Sequence, residues 1–217
     1  MDRWALGLDL GQTTDYSALS LVHERQGGET PIHDVPALHR WPLGTAYTAI
    51  VADVVRRLRV VLKRQRGALV YLVVDGTGVG RPVVDLLAAA LADLDCELIA
   101  VMITAGNAPN FGTRDDGAQE WHVPKSFLVS AVQILLQDGR LNIARGLPEA
   151  ATLQEELKNF RMKFTKSANA MYEAWRDGDH DDLVLCVALP CWSLLHGPLG
   201  APFVAAVGGS RPRVEVR

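Results

Sequence analysis

The feature that most constrains the fold is an alternation of apolar runs with stretches of helical periodicity. Residues 68–74 are almost wholly apolar, as in a strand buried on both faces, and residues 98–103 form a second such run. Residues 45–66 precede the first run and residues 82–94 separate the two, and both stretches have helical character. Strands that alternate with helices predict a parallel sheet with helices on its faces.

Other elements complete an α/β fold. Residues 4–10, 17–23 and 35–41 predict three strands with short connections, which form a meander. The remaining predicted elements are a long loop at 104–121, helices at 124–138, 148–157 and about 180–195, a short strand at 140–144, and a hairpin of strands 159–165 and 170–175. We therefore expect a mixed central sheet flanked by helices, with an added β-hairpin.

Length and composition limit the class of protein. The 217 residues fit one domain at 1–196 followed by an irregular tail at 197–217. A net charge of −3 argues against a protein that coats nucleic acid by bulk charge, although 17 of the 22 basic residues are arginine. No signal peptide is visible, and the longest apolar run, 183–195, contains Pro190 and is too short to span a bilayer. A cytoplasmic protein with no membrane partner is expected.

Acidic residues stand at positions where parallel sheets bind ligands. Asp9 interrupts an apolar strand, Asp75 ends the apolar run 68–74, and Asp181 and Asp182 begin an apolar helix. Asp75 could instead be a turn residue, and Asp181 or Asp182 a helix cap, but a lone strand carboxylate such as Asp9 needs a partner. Converging carboxylates repel one another unless a cation joins them, and their hard oxygens suit Mg²⁺ or Mn²⁺. The pattern predicts a metal site.

Three acidic segments carry a family resemblance. Residues 7–18 (GLDLGQTTDYSA), 74–83 (VDGTGVGRPV) and 178–184 (GDHDDLV), together with 156–160 (ELKNF), resemble the nuclease domain of phage terminase large subunits. That domain belongs to the ribonuclease H-like superfamily, alongside resolvases of the RuvC type. The resemblance extends from about residue 4 to residue 195 and implies a ribonuclease H-like fold.

The resemblance also implies roles for the matching residues. Asp9, Asp75, Asp181 and Asp182 form the catalytic set: Asp9 would bridge two Mg²⁺ or Mn²⁺ ions, Asp75 would bind one, and Asp181 or Asp182 the other. The choice between the last two stays open, because neighbouring helical residues point about 100° apart. Asp15 matches a further acidic position that could also bind metal.

The implied function is a metal-dependent DNA endonuclease for genome packaging and cleavage, acting on double-stranded DNA in the bacterial host cytoplasm. The chain lacks the GxxxxGK[ST] loop of a terminase ATPase. We therefore expect a separated nuclease domain or prophage product whose partners include a separate terminase ATPase, the small terminase subunit or the portal. Basic residues expected to contact phosphate are Arg81, Lys125, Arg161, Lys163 and Lys166, with Arg161 and Lys163 on one face of the predicted hairpin.

Two alternatives remain open at this point. The chain could be a non-catalytic prophage remnant that binds DNA or a packaging partner. Residues 8–14 and 75–78 also resemble the phosphate loops of the actin/Hsp70 superfamily, whose members need two such domains and a longer chain. Metal-dependent DNA nicking in the absence of nucleotide would distinguish a nuclease from a nucleotide-binding domain.

Overall fold

A computed structural model describes residues 2–11, 15–78, 80–113, 119–166, 181–197 and 199. The strands are β1 (Arg3–Asp9), β2 (Ala18–Arg25), β3 (Ile32–Arg40), β4 (Leu69–Asp75), β5 (Glu97–Thr104), β6 (Asn110–Thr113), β7 (Gln119–Pro124) and β8 (Leu141–Ile143). The helices are α1 (Tyr47–Arg64), α2 (Gly80–Leu91), α3 (Lys125–Gln137), α4 (Ala150–Lys166) and α5 (Asp182–Leu195). Within these ranges, no helix has both the length and the hydropathy needed to cross a membrane.

The eight strands form one mixed sheet in the order β6-β7-β5-β4-β1-β2-β3-β8. β1, β2 and β3 pair as an antiparallel meander, whereas β4 runs parallel to β1, β5 to β4 and β7 to β5. The predicted α/β fold with a mixed, helix-flanked sheet is confirmed. Because β1 and β4 are adjacent and parallel, both end at the same edge of the sheet, and that edge is called the carboxyl edge below.

Helices cover both faces of the sheet. On one face, apolar residues of α1 and α2, such as Leu58 and Leu87, pack over Leu6, Leu8 and Leu72 of β1 and β4. On the other face α5 lies against β1, β2 and β4, and α3 and α4 pack over α5 in turn. Every residue from 182 to 194 is buried, which explains why this segment is apolar on all sides.

Two small residues of the sheet admit α5 at close range. A Cβ atom on Gly7 of β1 would lie 1.9 Å from the Cys186 carbonyl oxygen and 2.4 Å from Cδ of Pro190, so only glycine fits there. Pro190 has no N–H to offer the Cys186 carbonyl one turn earlier. The hydroxyl of Ser20 in β2 donates to that carbonyl at 2.7 Å instead. Gly7 makes room for α5 at Pro190, and Ser20 satisfies the carbonyl that the proline leaves without a donor.

The second half of the chain departs from expectation in two places. The predicted hairpin is wrong in its first strand, because residues 159–165 belong to α4. Phe160, Met162 and Phe164 alternate like a strand, but residues 149–166 contain no Gly or Pro to end a helix. Residues 170–175 lie outside the described part of the chain, as do residues 200–217 of the predicted tail.

The predicted loop at 104–121 contains β6 and the first half of β7, so the loop prediction is also wrong. Its Gly, Asn, Pro and Asp residues are typical of turns. Pairing with β5, where Val101 stands beside Trp121, organises β7 in spite of that composition, and β6 adds to β7 as an edge strand. The added hairpin of this sheet is therefore β6–β7.

Candidate active site

Carboxylates from three elements meet at the carboxyl edge. Asp9 is the last residue of β1 and Asp75 the last residue of β4, and the two strands are in register up to Leu8 and Val74. Asp181 and Asp182 stand at the start of α5, whose first turn reaches the same edge. Asp9, Asp75 and Asp182 are only 6%, 8% and 5% exposed. Buried carboxylates in such proximity cannot all ionise without a compensating charge.

Asp9 and Asp75 are electrostatically linked. Burial raises the pKa of Asp9 well above its usual value, and the charges of Asp75, Asp182 and Asp181 raise it further, while Lys125 opposes them. Burial also raises the pKa of Asp75, although hydrogen bonds from Thr77 and the Asp9 side chain lower it. The backbone N–H of Thr77 donates to Asp75 Oδ1 at 2.8 Å and fixes that carboxylate's orientation. The two acids therefore favour sharing a proton over ionising together.

Asp181 contacts a lysine. Its side chain makes no capping hydrogen bond, although it stands at the N-cap of α5. Asp181 Oδ2 instead accepts from Nζ of Lys125, the first residue of α3, at 2.5 Å. The Lys125 side chain is 23% exposed and that of Asp181 26%, so the ion pair lies at the rim of the carboxylate cluster. The lysine supplies one positive charge among several negative ones.

A buried glutamate that sequence reasoning did not assign to the site caps α5. Oε2 of Glu156, on α4, accepts from the backbone N–H groups of Leu183 and Val184 at 3.1 and 3.2 Å. Burial raises the pKa of Glu156 to about 7, and the charge of Asp182 contributes to the increase. The helical spacing from the buried residue Leu153 could have placed Glu156 on the buried face of α4.

Arg40 supports this cap from the sheet. Its Nη1 lies 3.5 Å from Oε1 of Glu156, and its guanidinium stacks 4.3 Å above the ring of Tyr16. Arg40 is the last residue of β3, and its register partner Ala18 stands opposite Asp9. A chain of charged contacts thus leads from β3 through α4 to the start of α5, and it orients the turn that carries Asp181 and Asp182.

The donors at this edge fit a hard divalent cation. All of them are carboxylate oxygens, the ligands that Mg²⁺ and Mn²⁺ prefer, and a cation would offset the repulsion that raises the pKa of Asp9. In the described ranges, no group of three or more His, Cys, Asp or Glu side chains is already arranged to hold an ion. The oxygen ligands of the site suit such ions, but the side chains are not positioned to coordinate one together.

The other predicted site residues are dispersed. Asp15 is exposed and lines a separate cleft of about 210 Å³ with Ser17 and Tyr47. Arg81 is exposed in the first turn of α2, close after the carboxyl edge. Arg161, Lys163 and Lys166 belong to the last turns of α4, so the reasoning that placed Arg161 and Lys163 on one strand face no longer applies.

Comparison of the structure with solved proteins defines the class of fold. The human cytomegalovirus terminase nuclease domain, in a manganese-soaked and inhibitor-bound structure, superposes with a TM-score of 0.54 at 12% identity. The match covers 87% of this chain and 82% of that one. The chain has the ribonuclease H-like fold that the resemblance implied.

The comparison of sequences gives more specific matches than the comparison of structures. The terminase large subunit of Thermus phage G20c is 27% identical over 203 residues, which make up 94% of this chain and 34% of that protein. The large subunit of Thermus virus P23-45 matches to the same extent. The predicted resemblance to the terminase large subunit is confirmed, and the chain spans about a third of the length of these curated relatives. No family model matches the chain.

Proposed function

We propose that this protein is a metal-dependent DNA endonuclease of the terminase type. The observation that supports the proposal best is the meeting of buried Asp9, Asp75 and Asp182 at the carboxyl edge of a ribonuclease H-like sheet. Burying each of these acids costs folding free energy, so a purely structural role does not explain why three of them, from three elements, are buried together. A site that handles a cation and a phosphodiester explains them together.

The residues divide the work of phosphodiester hydrolysis among them. Asp9 and Asp75 would bind metal from the sheet side of the site. Asp182, with Asp181, would bind metal from the side of α5. Two Mg²⁺ or Mn²⁺ ions held there would supply acidification of water and neutralisation of charge on the phosphate. Glu156 and Arg40 keep the start of α5 in place. Asp15 would be a further metal ligand, as the resemblance implies.

Double-stranded DNA is the proposed substrate. Arg81 flanks the carboxyl edge on α2, and Lys125 already lies at the carboxylates. Arg161, Lys163 and Lys166 would contact phosphates farther along the duplex from α4. The packaging ATPase, the small terminase subunit and the portal are the proposed partners, and the host cytoplasm is the proposed location.

Plasmid nicking tests the proposal. The native chain should convert supercoiled plasmid to the open form with Mn²⁺ or Mg²⁺, without nucleotide. Asp9→Asn and Asp75→Asn should each reduce the rate by at least about a hundredfold, since each removes a charged metal ligand. Asp93→Asn is the matched control, because Asp93 is exposed and stands in the connection between α2 and β5.

Equal cutting by the native chain and both site variants would contradict the site. Absence of cutting by the native chain, with retained DNA binding, would favour a non-catalytic module instead. Manganese binding measured by calorimetry on the same three proteins would distinguish these results, because it reports on the carboxylates without requiring turnover.

A further inference from the structure

A half-open cavity of about 420 Å³ lies between α1 and the sheet, outside the carboxylate site. Its floor and walls are mainly apolar and include Trp4, Leu21 and Ala37 from the sheet and Val60 from α1. Val60 is 45% exposed. Apolar side chains that stay partly exposed within a polar rim are a feature of interaction sites. We call this cavity the α1 groove.

The rim of the α1 groove is basic. Arg56, Arg57 and Arg64 line it from one side of α1. Asp53 pairs with Arg56 and with Arg57, the latter at 2.9 Å, so three positive charges face one negative charge and the rim retains a net charge of about +2. The protein as a whole carries −3, so this positive charge is a local concentration.

The groove lies where a helix is lacking. α1 and α2 lie over β1, β2, β4 and β5 on this face, and α1 reaches β3 where Asp53 stands 3.9 Å from His39; among the described residues no further helix lies on the β3 side of α1. Helices that pack side by side on a sheet stand about 8–10 Å apart. A further helix laid next to α1 would bury Leu21, Ala37 and Val60 and would extend the layer across the sheet.

We propose that the α1 groove binds an acidic amphipathic helix of a partner protein. The apolar face of that helix would fill the groove, and its carboxylates would pair with Arg57 and Arg64. Nucleic acid matches the rim but not the floor, because a phosphate backbone gains nothing from apolar walls. The inference does not depend on nuclease activity, since none of the groove residues belongs to the carboxylate site.

A designed peptide tests the groove. The probe is a fluorescein-labelled helix of about 18 residues with leucines on one face and glutamates on the other. A scrambled peptide of the same composition, lacking the apolar face, is its control. Fluorescence anisotropy near physiological salt should give a Kd of about 100 μM or tighter for the amphipathic peptide, and at least tenfold weaker binding for the scramble.

Two neighbouring charge reversals locate the contact. Arg64→Glu should weaken peptide binding at least about tenfold, because it places a carboxylate at the rim. Lys63→Glu is the matched control, because Lys63 is also exposed on the last turn of α1 but does not line the groove. The Kd of the peptide for this variant should stay within about twofold of the native value. Both variants should retain the native circular dichroism spectrum, since both side chains are exposed.

Three results would overturn the proposal. They are no binding of the amphipathic peptide at about 1 mM, equal binding of the scramble, and equal loss in the Arg64 and Lys63 variants. Displacement of the peptide by a 20-base-pair DNA duplex, with the same sensitivity to Arg64→Glu, would assign the surface to nucleic acid instead.

Discussion

At the scale of single residues, the ionised carboxylates of the site destabilise the folded state. Burial raises the pKa of both Asp9 and Asp75, and the neighbouring carboxylates raise that of Asp9 further, which means that ionising either acid is harder in the folded chain than in the unfolded one. The unfolded state therefore releases protons first as the pH rises. Between the ordinary pKa of an aspartate and the raised values in the fold, stability falls with increasing pH.

Asp9→Asn should therefore stabilise the protein while abolishing cutting. In EDTA at pH 8 we expect a gain of roughly 1 kcal/mol, typical of substitutions that relieve strain at a functional site. The gain should shrink as the pH approaches 4, where Asp9 is protonated in the fold. Urea unfolding of native, Asp9→Asn and Asp93→Asn proteins at both pH values measures it. A loss of stability at pH 8 would contradict the repulsion described at Asp9.

Glu156 acts on the site through the helix that it caps. Glu156→Ala leaves two N–H groups of α5 without their acceptor, so the turn bearing Asp181 and Asp182 loosens. We expect nicking to fall about tenfold or more, with a higher manganese concentration at half-maximal rate, as for other residues that orient metal ligands. Glu156→Gln keeps an acceptor oxygen and should recover most of the activity.

Glu155→Ala is the control for this prediction. Glu155 is the neighbouring residue, its side chain is 67% exposed, and it pairs with Lys158 on the same helix. An unchanged manganese requirement in Glu156→Ala, alongside lowered stability, would reduce Glu156 to a purely structural residue.

Some of the site residues are visible in sequence and others are not. Asp9 and Asp75 interrupt or end apolar runs, so their positions at strand ends follow from pattern alone. Glu156 begins a segment that carries the family resemblance, but its role and that of Arg40 become visible only when the fold brings them to the start of α5. Lys125 was expected to contact DNA, and only the structure shows that it is paired with Asp181.

At the scale of elements, α5 depends on a close fit to two strands. Gly7→Ala places a methyl group 1.9 Å from the Cys186 carbonyl oxygen, so helix and sheet must separate. We expect a loss of about 3 kcal/mol or more in the free energy of unfolding, or failure to fold. Gly112→Ala is the matched strand substitution, because its nearest contact would be an ordinary 3.4 Å from His122, and it should change stability little.

Ser20→Ala tests the same fit more gently. It removes the hydroxyl that satisfies the Cys186 carbonyl, at a cost of roughly 1–2 kcal/mol. Urea unfolding at pH 7 measures all three variants. A Ser20→Ala protein as stable as the native chain would show that the carbonyl opposite Pro190 needs no partner from β2.

Periodicity located most elements to within a few residues, because buried strands and amphipathic helices have distinct apolar spacing. It failed at α4, where alternating Phe and Met residues resemble a strand within a helix that nothing interrupts. It failed again at β6 and β7, because the turn residues of 104–121 hid a segment that pairing with β5 organises into strands. Both failures lie where the distant context outweighs the local pattern.

At the scale of the whole molecule, strand order accounts for the location of the site. Sequence predicted the meander and the parallel strands, but it could not supply the order β5-β4-β1-β2-β3, which puts β1 at the centre. That central position places Asp9 next to Asp75 and beneath the start of α5. The whole chain, rather than any single motif, therefore constructs the carboxylate cluster.

The wide spacing of those carboxylates along the chain affects when during synthesis a site can exist. Asp9 leaves the ribosome well before Asp182, which emerges with the helix behind it only after most of the sheet has been made. Protein fragments from interrupted translation or from proteolysis before residue 182 would lack one side of the cluster. The carboxylate centre can therefore form only after the segment that carries α5 has been made.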